Sequence, residues 1–132
     1  ADVTARAIRA TPSRRPLLLA TRFTMEQAFY RDRLKAFGVE ALVPQPQERD
    51  EVHRIIYEEL CRGRVEAASK ERYLAVVERA IRDEGADGVI LGCTEIGLLV
   101  SQADFAVPVF DTTALHAAAA LDYVAEVKSV AA

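Results

Sequence analysis

The stretch "GVILGCTEIG", Gly88 to Gly97, decides the fold. Its first half is a short apolar run, which is typical of a strand covered on both faces of a parallel sheet. The run stops at Gly92, and a cysteine, a threonine and a glutamate follow at once. In open parallel sheets, ligands bind outside the carboxyl ends of the strands. The stretch therefore predicts a buried strand with a polar site where that strand ends.

Apolar runs and helical stripes alternate along the rest of the chain. The predicted strands are Leu17–Ala20, Val39–Val43, Gly88–Gly92 and Val107–Phe110. The predicted helices cover 2–10, 24–38, 50–61, 69–85 and 113–128. Strands that alternate with helices indicate an α/β domain with a mainly parallel sheet. We therefore expect one three-layer α/β/α domain over residues 1–132, with a short four-stranded sheet.

Two of these helices have distinctive features. Thr24 and Gln27 match a capping box, so that helix should start at Thr24 and point Met25, Ala28, Phe29 and Ala36 inward. The alanine-rich helix 113–128 is apolar around much of its circumference, which predicts more than one packing partner.

Composition excludes several classes of protein. The 132 residues carry a net charge of −3, which gives no electrostatic reason to expect nucleic-acid binding. No apolar stretch approaches the roughly 20 residues that span a bilayer, and no signal-peptide pattern is present. Cys61 and Cys93 show no metal-type spacing, so we expect a reduced, cytoplasmic protein without a metal site. Because Ala1 lies at the edge of a predicted helix, we expect the chain to be part of something longer.

The chemistry-bearing residues fall at two predicted strand ends. If both strands lie near the sheet centre, Thr21, Thr24, Cys93 and Thr94 line one crevice, where hydroxyls and amides suit a carboxylate or a phosphate. A thiol at a helix N-terminus is expected to have a lowered pKa, and Gly92 would let a ligand approach the backbone. The alternative is that Cys93 is a small buried hydrophobe.

Other polar residues have simpler explanations. Cys61 lies at the end of a helical stripe and is expected to pack there, partly buried. His53 is interpreted as an exposed polar residue, and Glu95 as a partner for the helix dipole. Arg62 and Arg64 lie in a basic loop that either closes on an anionic substrate or is simply solvated.

Four segments together resemble the aspartate/glutamate racemase superfamily, most closely its aspartate racemase branch. They are "ATRFTMEQAFY", "LVPQPQERDEVHRIIYEELCRGR", "GVILGCTEIGLLV" and "VPVFDTTALH", and the resemblance runs from about Asp2 to Tyr123. Glu95 stands where the glutamate racemase branch usually has a histidine. Ala20 replaces a glycine of many relatives, a small change that should fit.

The resemblance implies racemisation of an amino acid, aspartate foremost, without pyridoxal phosphate or any other cofactor. In the family, two cysteines flank the substrate Cα and exchange its proton on opposite faces. Cys93 matches the second of them, and Thr94, Thr21 and Thr24 match substrate-binding positions. Arg62, with Arg64 as the alternative, lies where members can carry a base that reaches the distal carboxylate.

The resemblance also implies a missing half. Family members are two similar α/β domains with the site between them, and nothing in this chain matches the first cysteine motif. We therefore expect the partners to be an amino-acid substrate and an absent N-terminal domain, with a homo-oligomer left open. A carboxylate-binding module without turnover is the alternative function. A thiol-transfer protein is less favoured, because the chain has no Cys-x-x-Cys pair.

Overall fold

A computed structural model describes residues 1–131. Its strands are β1 (Pro16–Leu19), β2 (Gly88–Leu91) and β3 (Val109–Asp111). Its helices are α1 (Asp2–Arg9), α2 (Arg22–Glu26), α3 (Ala28–Lys35), α4 (Pro46–Glu58), α5 (Ala67–Glu84) and α6 (Thr112–Ala131). Short 3₁₀ turns lie at Leu60–Arg62, Thr94–Leu98 and Gln102–Asp104. The mixed α/β fold predicted from the sequence is confirmed.

The sheet is parallel and has the order β1-β2-β3. Leu19 of β1 pairs with Leu91 of β2, and Leu91 pairs in turn with Asp111 of β3. Every residue of β1 and β2 is buried, as the continuous apolar runs predicted. All three strands therefore end at the same edge, and β2 lies in the middle of that edge.

The prediction of four strands is wrong, because Val39–Val43 does not form a strand. This segment meets β1 at a single bridge, where Leu42 donates to Pro16 O and accepts from Leu18 N–H, both at 2.8 Å. Pro44 has no backbone N–H, so it cannot donate the next hydrogen bond between this segment and β1. The last strand begins at Val109 instead of Val107, one residue after Pro108. The three-layer stacking stays a prediction.

The predicted helix over 24–38 is two helices, and the Thr24 capping box is wrong. The chain is extended at Gln27 (φ −75°, ψ 134°), which separates α2 from α3. Helix α2 begins at Arg22 with Thr21 as its N-cap residue, so Thr24 lies inside it. Met25 is buried as expected, but the prediction that Ala28, Phe29 and Ala36 point inward is wrong, because all three are exposed and Leu34 is the buried residue of α3.

The next two helices begin earlier than predicted. Helix α4 starts at Pro46, and Gln45 N–H donates to Glu48 Oε1 at 2.9 Å across its first turn. Helix α5 starts at Ala67, so Ser69 does not cap it but lies buried in its first turns. It ends at Gly85, whose φ of +71° is the left-handed conformation that glycine adopts most easily. That predicted end is confirmed.

Helix α6 packs against α1 and β3, and its Leu115 is partly buried against the core. Farther along it, Leu121 and Tyr123 are exposed at 71% and 67%. The expectation that this helix has more than one packing partner stays a prediction. Among the helices that the structure describes, none is long and apolar enough to cross a membrane.

Candidate active site

The carboxyl ends of β1 and β2 bring the two predicted polar segments side by side. Because Leu19 pairs with Leu91, the residues that follow each strand leave the sheet at the same level. Gly92 N–H donates to Leu19 O at 2.8 Å, which extends the contact one residue past the ladder. Thr21 and Cys93 each come two residues after the last paired position. The segments that start at these residues are called the β1 wall and the β2 wall below, and a common crevice between them stays a prediction.

Gly92 has a different role from the one expected. A Cβ at this position would lie 3.1 Å from Ala20 Cβ, 3.2 Å from Leu18 Cδ1 and 3.3 Å from Leu19 O. These distances are shorter than most real Cβ contacts, so the glycine allows β1 and β2 to end in close contact. Space for a ligand beside the backbone is therefore not what requires glycine at this position. The methyl group of Ala20 does fit, since it is fully buried against Gly92.

The β1 wall is made by the start of α2. The hydroxyl oxygens of Thr21 and Thr24 lie 3.5 Å apart, so one turn of helix presents both of them together. Buried Met25 attaches this short helix to the core. Thr24 also borders an apolar groove of about 360 Å³, which is lined by Phe23, Thr24, Gln27, Phe29 and Tyr30.

Helix α4 holds this turn from outside. His53 Nδ1 accepts a hydrogen bond from the backbone N–H of Arg22 at 2.9 Å. The Arg22 guanidinium contacts Asp50 Oδ1 at 2.6 Å, so one residue is fixed at both its ends. Sequence reasoning missed His53, because the contact joins residues 31 positions apart and leaves no local pattern.

The β2 wall is the Cys93–Glu95 segment. The Cys93 thiol donates to Glu95 Oε2 at 2.9 Å, and Thr94 Oγ1 donates to the same oxygen at 2.9 Å. Cys93 is half-buried, whereas Thr94 is exposed. The segment opens the 3₁₀ turn Thr94–Leu98, which Ile96 attaches to the core. A carboxylate in contact with the thiol was not predicted, although the spacing of Cys93 and Glu95 allows it.

The expectation of a lowered thiol pKa is wrong. Burial raises the pKa of Cys93 to about 11, and the hydrogen bond and negative charge of Glu95 act in the same direction. The helix that follows is a short 3₁₀ turn, which provides little opposing dipole. Hydrogen bonds from Cys93 and Thr94 lower the pKa of Glu95. At neutral pH the site therefore holds a protonated thiol beside an ionised carboxylate.

Arg62 approaches the β2 wall on the 3₁₀ turn Leu60–Arg62, which packs against Thr94–Leu98. A buried carboxylate fixes this turn, since Glu59 accepts from Ser69 Oγ at 2.5 Å and contacts Arg54 Nη1 at 3.1 Å. Arg62 N–H donates to Glu59 O at 3.0 Å, and the Arg62 side chain is exposed. The Arg62 backbone is therefore fixed while its side chain lies in solvent, and contact of that side chain with a substrate stays a prediction.

Cys61 was expected at the end of a helical stripe and partly buried there, and the expected burial is wrong. It lies in the 3₁₀ turn Leu60–Arg62, which follows α4, and its side chain is exposed. Helix α4 ends at Glu58, which leaves Leu60 as the buried residue of the turn. Within residues 1–131, no group of three or more His, Cys, Asp or Glu side chains is placed to hold a metal ion.

These features can be compared with known proteins. The family model of the Asp/Glu/Hydantoin racemases matches residues 1–120, which is most of the chain. The chain belongs to this racemase family. The resemblance found in the four sequence segments is therefore confirmed at the level of the family.

Solved structures of related proteins share the fold. A candidate Asp/Glu racemase from Yersinia pestis is 49% identical with a TM-score of 0.87 over 93% of this chain. An aspartate racemase homologue from Pyrococcus horikoshii OT3 is 38% identical with a TM-score of 0.88 over 94% of it. The chain covers 54% of each of these two structures.

One curated relative, an uncharacterised protein of Pectobacterium carotovorum subsp. carotovorum, is 30% identical over 101 residues. That match covers 76% of this chain and 65% of the relative. The racemase-family chain thus spans about half the length of the solved structures that it matches, and about two thirds of this relative's length is aligned.

Proposed function

We propose that this chain provides one half of a cofactor-independent racemase of acidic amino acids, with aspartate as the foremost substrate and Cys93 as one of two bases. The observation that supports this most directly is the Cys93–Glu95 contact at the carboxyl end of β2. A half-buried thiol held against a carboxylate can give up a proton and recover it. Family membership supports the reaction class, an isomerisation at an amino-acid Cα.

The proton balance is as follows. A base on the opposite face of the substrate removes the Cα proton, which leaves an enediolate-like carbanion. The Cys93 thiol then gives its proton to Cα from its own face, and Cys93 becomes a thiolate. In the reverse direction the Cys93 thiolate removes the proton and the opposite base returns one. The raised pKa of Cys93 suits the resting state, in which this cysteine is the proton donor.

The remaining side chains bind the substrate in this proposal. Because the Cα–H of an amino acid is only weakly acidic, donors must stabilise the negative charge that develops on the α-carboxylate. In this proposal the hydroxyls of Thr21 and Thr24, which lie 3.5 Å apart, serve as such donors. The Thr94 hydroxyl donates to Glu95 in this structure and would have to turn from it to reach a substrate. Arg62 at the rim would contact the distal carboxylate of aspartate, with Arg64 as the alternative.

The second base would come from an N-terminal domain that precedes this chain. The support is that the related solved structures are nearly twice as long as the part this chain covers. The exposed apolar side chains Leu121, Tyr123, Val124 and Val127 of α6 offer a surface on which such a domain could pack. In this proposal the isolated chain binds substrate weakly and does not racemise it.

The test is racemisation of aspartate by the full-length protein in heavy water, followed together with deuterium incorporation at the α-carbon. We expect both with the wild type and with Cys61→Ala, and loss of at least about 10³-fold in the rate of racemisation with Cys93→Ala. Cys61→Ala is the matched control, because it removes the exposed thiol of the neighbouring turn. If Cys93→Ala racemised aspartate at the wild-type rate, Cys93 would not be a base.

A carboxylate-binding module without turnover is the second candidate. The observation in its favour is the raised pKa of Cys93, since a protonated thiol is a weak base in the ground state. Calorimetry on the full-length protein distinguishes the two functions. Saturable binding of aspartate together with complete absence of α-deuterium exchange would favour the binding module.

A further inference from the structure

Helix α2 has a capping arrangement that its own sequence does not provide. The N-cap residue Thr21 makes no side-chain hydrogen bond to the helix amides. The N–H of Arg22, the first residue of the helix, is instead bonded to His53 Nδ1 at 2.9 Å. An N-cap normally comes from the residue just before the helix, whereas this acceptor comes from another helix.

We infer that His53 is a positioning residue, which sets substrate affinity by holding the Thr21–Thr24 turn in its binding conformation. The inference rests on the proposed function, because the turn matters only if Thr21 and Thr24 bind the substrate. It extends that function to a residue of α4 that has no place in the proton transfer itself.

The turn depends on α4 because it has little support of its own. Helix α2 is five residues long and is separated from α3 by the extended Gln27. A helix this short is not stable by its own hydrogen bonds. Apart from buried Met25, polar contacts to α4 hold it in place. Arg22 contacts both His53 and Asp50. Glu26 contacts Arg49 at 3.5 Å.

His53 is suited to this work because its ring is itself fixed. The ring packs against that of Tyr57 one helical turn later, with centroids 4.7 Å apart and the ring planes tilted by 38°. An Nδ1 that accepts a hydrogen bond carries no proton, so the neutral ring has its proton on Nε2. The bond to Arg22 therefore defines the tautomer, and the packing against Tyr57 defines the direction in which the acceptor points.

The expected kinetic effect follows from which wall moves. Thr21 and Thr24 lie at the end of β1, whereas Cys93 lies at the end of β2 with its own contact to Glu95. Loss of the His53 contact lets the Thr21–Thr24 turn move and leaves the Cys93 contact unchanged. KM for aspartate should therefore rise, and kcat should fall with it, because the same hydroxyls are proposed to stabilise the charge that develops on the α-carboxylate.

Two substitutions separate the hydrogen bond from the bulk of the ring. The Oδ1 atom of Asn can occupy the position of Nδ1, so His53→Asn keeps the acceptor. The longer His53→Gln places its amide near the Nε2 position and loses the acceptor. Both variants lose the packing against Tyr57, so they form a matched pair.

The experiment uses the full-length protein and two measurements. For His53→Gln we expect KM to rise about threefold to tenfold, which corresponds to the loss of one hydrogen bond. We also expect hydrogen exchange at the Arg22 amide, measured by NMR, to become faster. His53→Asn should restore both values toward the wild type. Equal KM values for the two variants, or an Arg22 amide whose exchange is the same in both, would overturn the inference.

The amide measurement also separates this inference from the proposed function. Exchange at Arg22 is measured without substrate and needs no turnover. If the wild type fails to racemise aspartate, the proposed function fails. The comparison of His53→Asn with His53→Gln at the Arg22 amide still decides whether His53 holds the turn.

Discussion

Both ends of the sheet have a carboxylate that gathers several hydrogen-bond donors, but the donors come from different places. At the amino-terminal edge, Asp87 accepts from Ser13 Oγ at 2.6 Å and from the backbone N–H groups of Arg14 and Arg15 at 2.8 and 2.9 Å. These donors lie more than seventy positions away in the sequence. Asp87 therefore joins the segment before β1 to the segment before β2.

At the carboxyl edge, Glu95 takes its donors from its two preceding neighbours, Cys93 and Thr94. Such local bonds join no distant elements, so they contribute little to the free energy of folding. What they change is the thiol, whose pKa they raise further. Asp87, whose donors are distant in the sequence, therefore stabilises the fold, whereas Glu95, whose donors are adjacent, changes the pKa of the neighbouring Cys93 thiol.

The largest effect is expected for Asp87→Ala, which tests whether Asp87 stabilises the fold. It leaves a hydroxyl and two backbone N–H groups without their acceptor, so we expect a loss of about 3 kcal/mol in the free energy of unfolding. Urea unfolding of the variant and the wild type measures it. The exposed Asp83→Ala, on the last turn of α5, is the control and should change stability by less than about 0.5 kcal/mol. Equal losses in the two variants would contradict the role given to Asp87.

The next substitution acts at the other end of the sheet. Gly92→Ala forces a methyl group against Ala20 and Leu18 and should cost about 1–2 kcal/mol by overpacking. Adding Ala20→Gly removes the nearest contact and should recover part of the loss, since the contacts with Leu18 Cδ1 and Leu19 O remain. Gly97→Ala, whose Cβ would meet only Asp111 Oδ2 at 3.4 Å, is the control and should be nearly silent. Thermal unfolding of the four proteins, wild type included, tests this.

A smaller effect is expected from acid. Burial alone would raise the pKa of Asp87, but the bonds from Ser13, Arg14 and Arg15 outweigh it and hold that pKa below its usual value of 3.8. A carboxyl whose pKa is lowered by folding stabilises the protein above 3.8, and this share is lost as pH falls through the folded pKa. The stability gap between wild type and Asp87→Asn, about 1 kcal/mol near neutrality, should therefore shrink below pH 3.8. A gap that widened in acid would contradict this sign.

The smallest effect on stability is expected for Glu95→Gln. Removing its charge leaves burial as the main cause that raises the pKa of Cys93, so that pKa should fall below about 11. Stability should change by less than about 0.5 kcal/mol. The pH dependence of Cys93 alkylation, measured in a Cys61→Ser background, gives the midpoint. An unchanged midpoint would mean that burial alone sets the pKa.

The sequence was sufficient to predict those parts of the fold that depend on neighbouring residues. The apolar run before Gly92 predicted β2 and the position of Cys93 at its end, because burial on both faces requires apolar side chains at consecutive positions. The end of α5 at Gly85 was predicted for the same kind of reason, since a left-handed residue is a property of one position.

The sequence was insufficient where residues far apart in the chain determine the local structure. Thr24 was chosen as a cap from its spacing to Gln27, but Thr21 precedes the helix and His53 supplies the acceptor from α4. Val39–Val43 has the composition of a strand, yet Pro44 limits its pairing to one bridge. The thiol pKa was misjudged because burial and Glu95, not the helix dipole, determine it.

The close contact between Ala20 and Gly92 also bears on how such chains can change over time. The two positions together have room for one methyl group, and it lies on the β1 side. Alanine at position 92 should therefore be tolerated better in a chain that has glycine at position 20. The two positions are expected to influence each other's substitutions, although 72 residues separate them in the sequence.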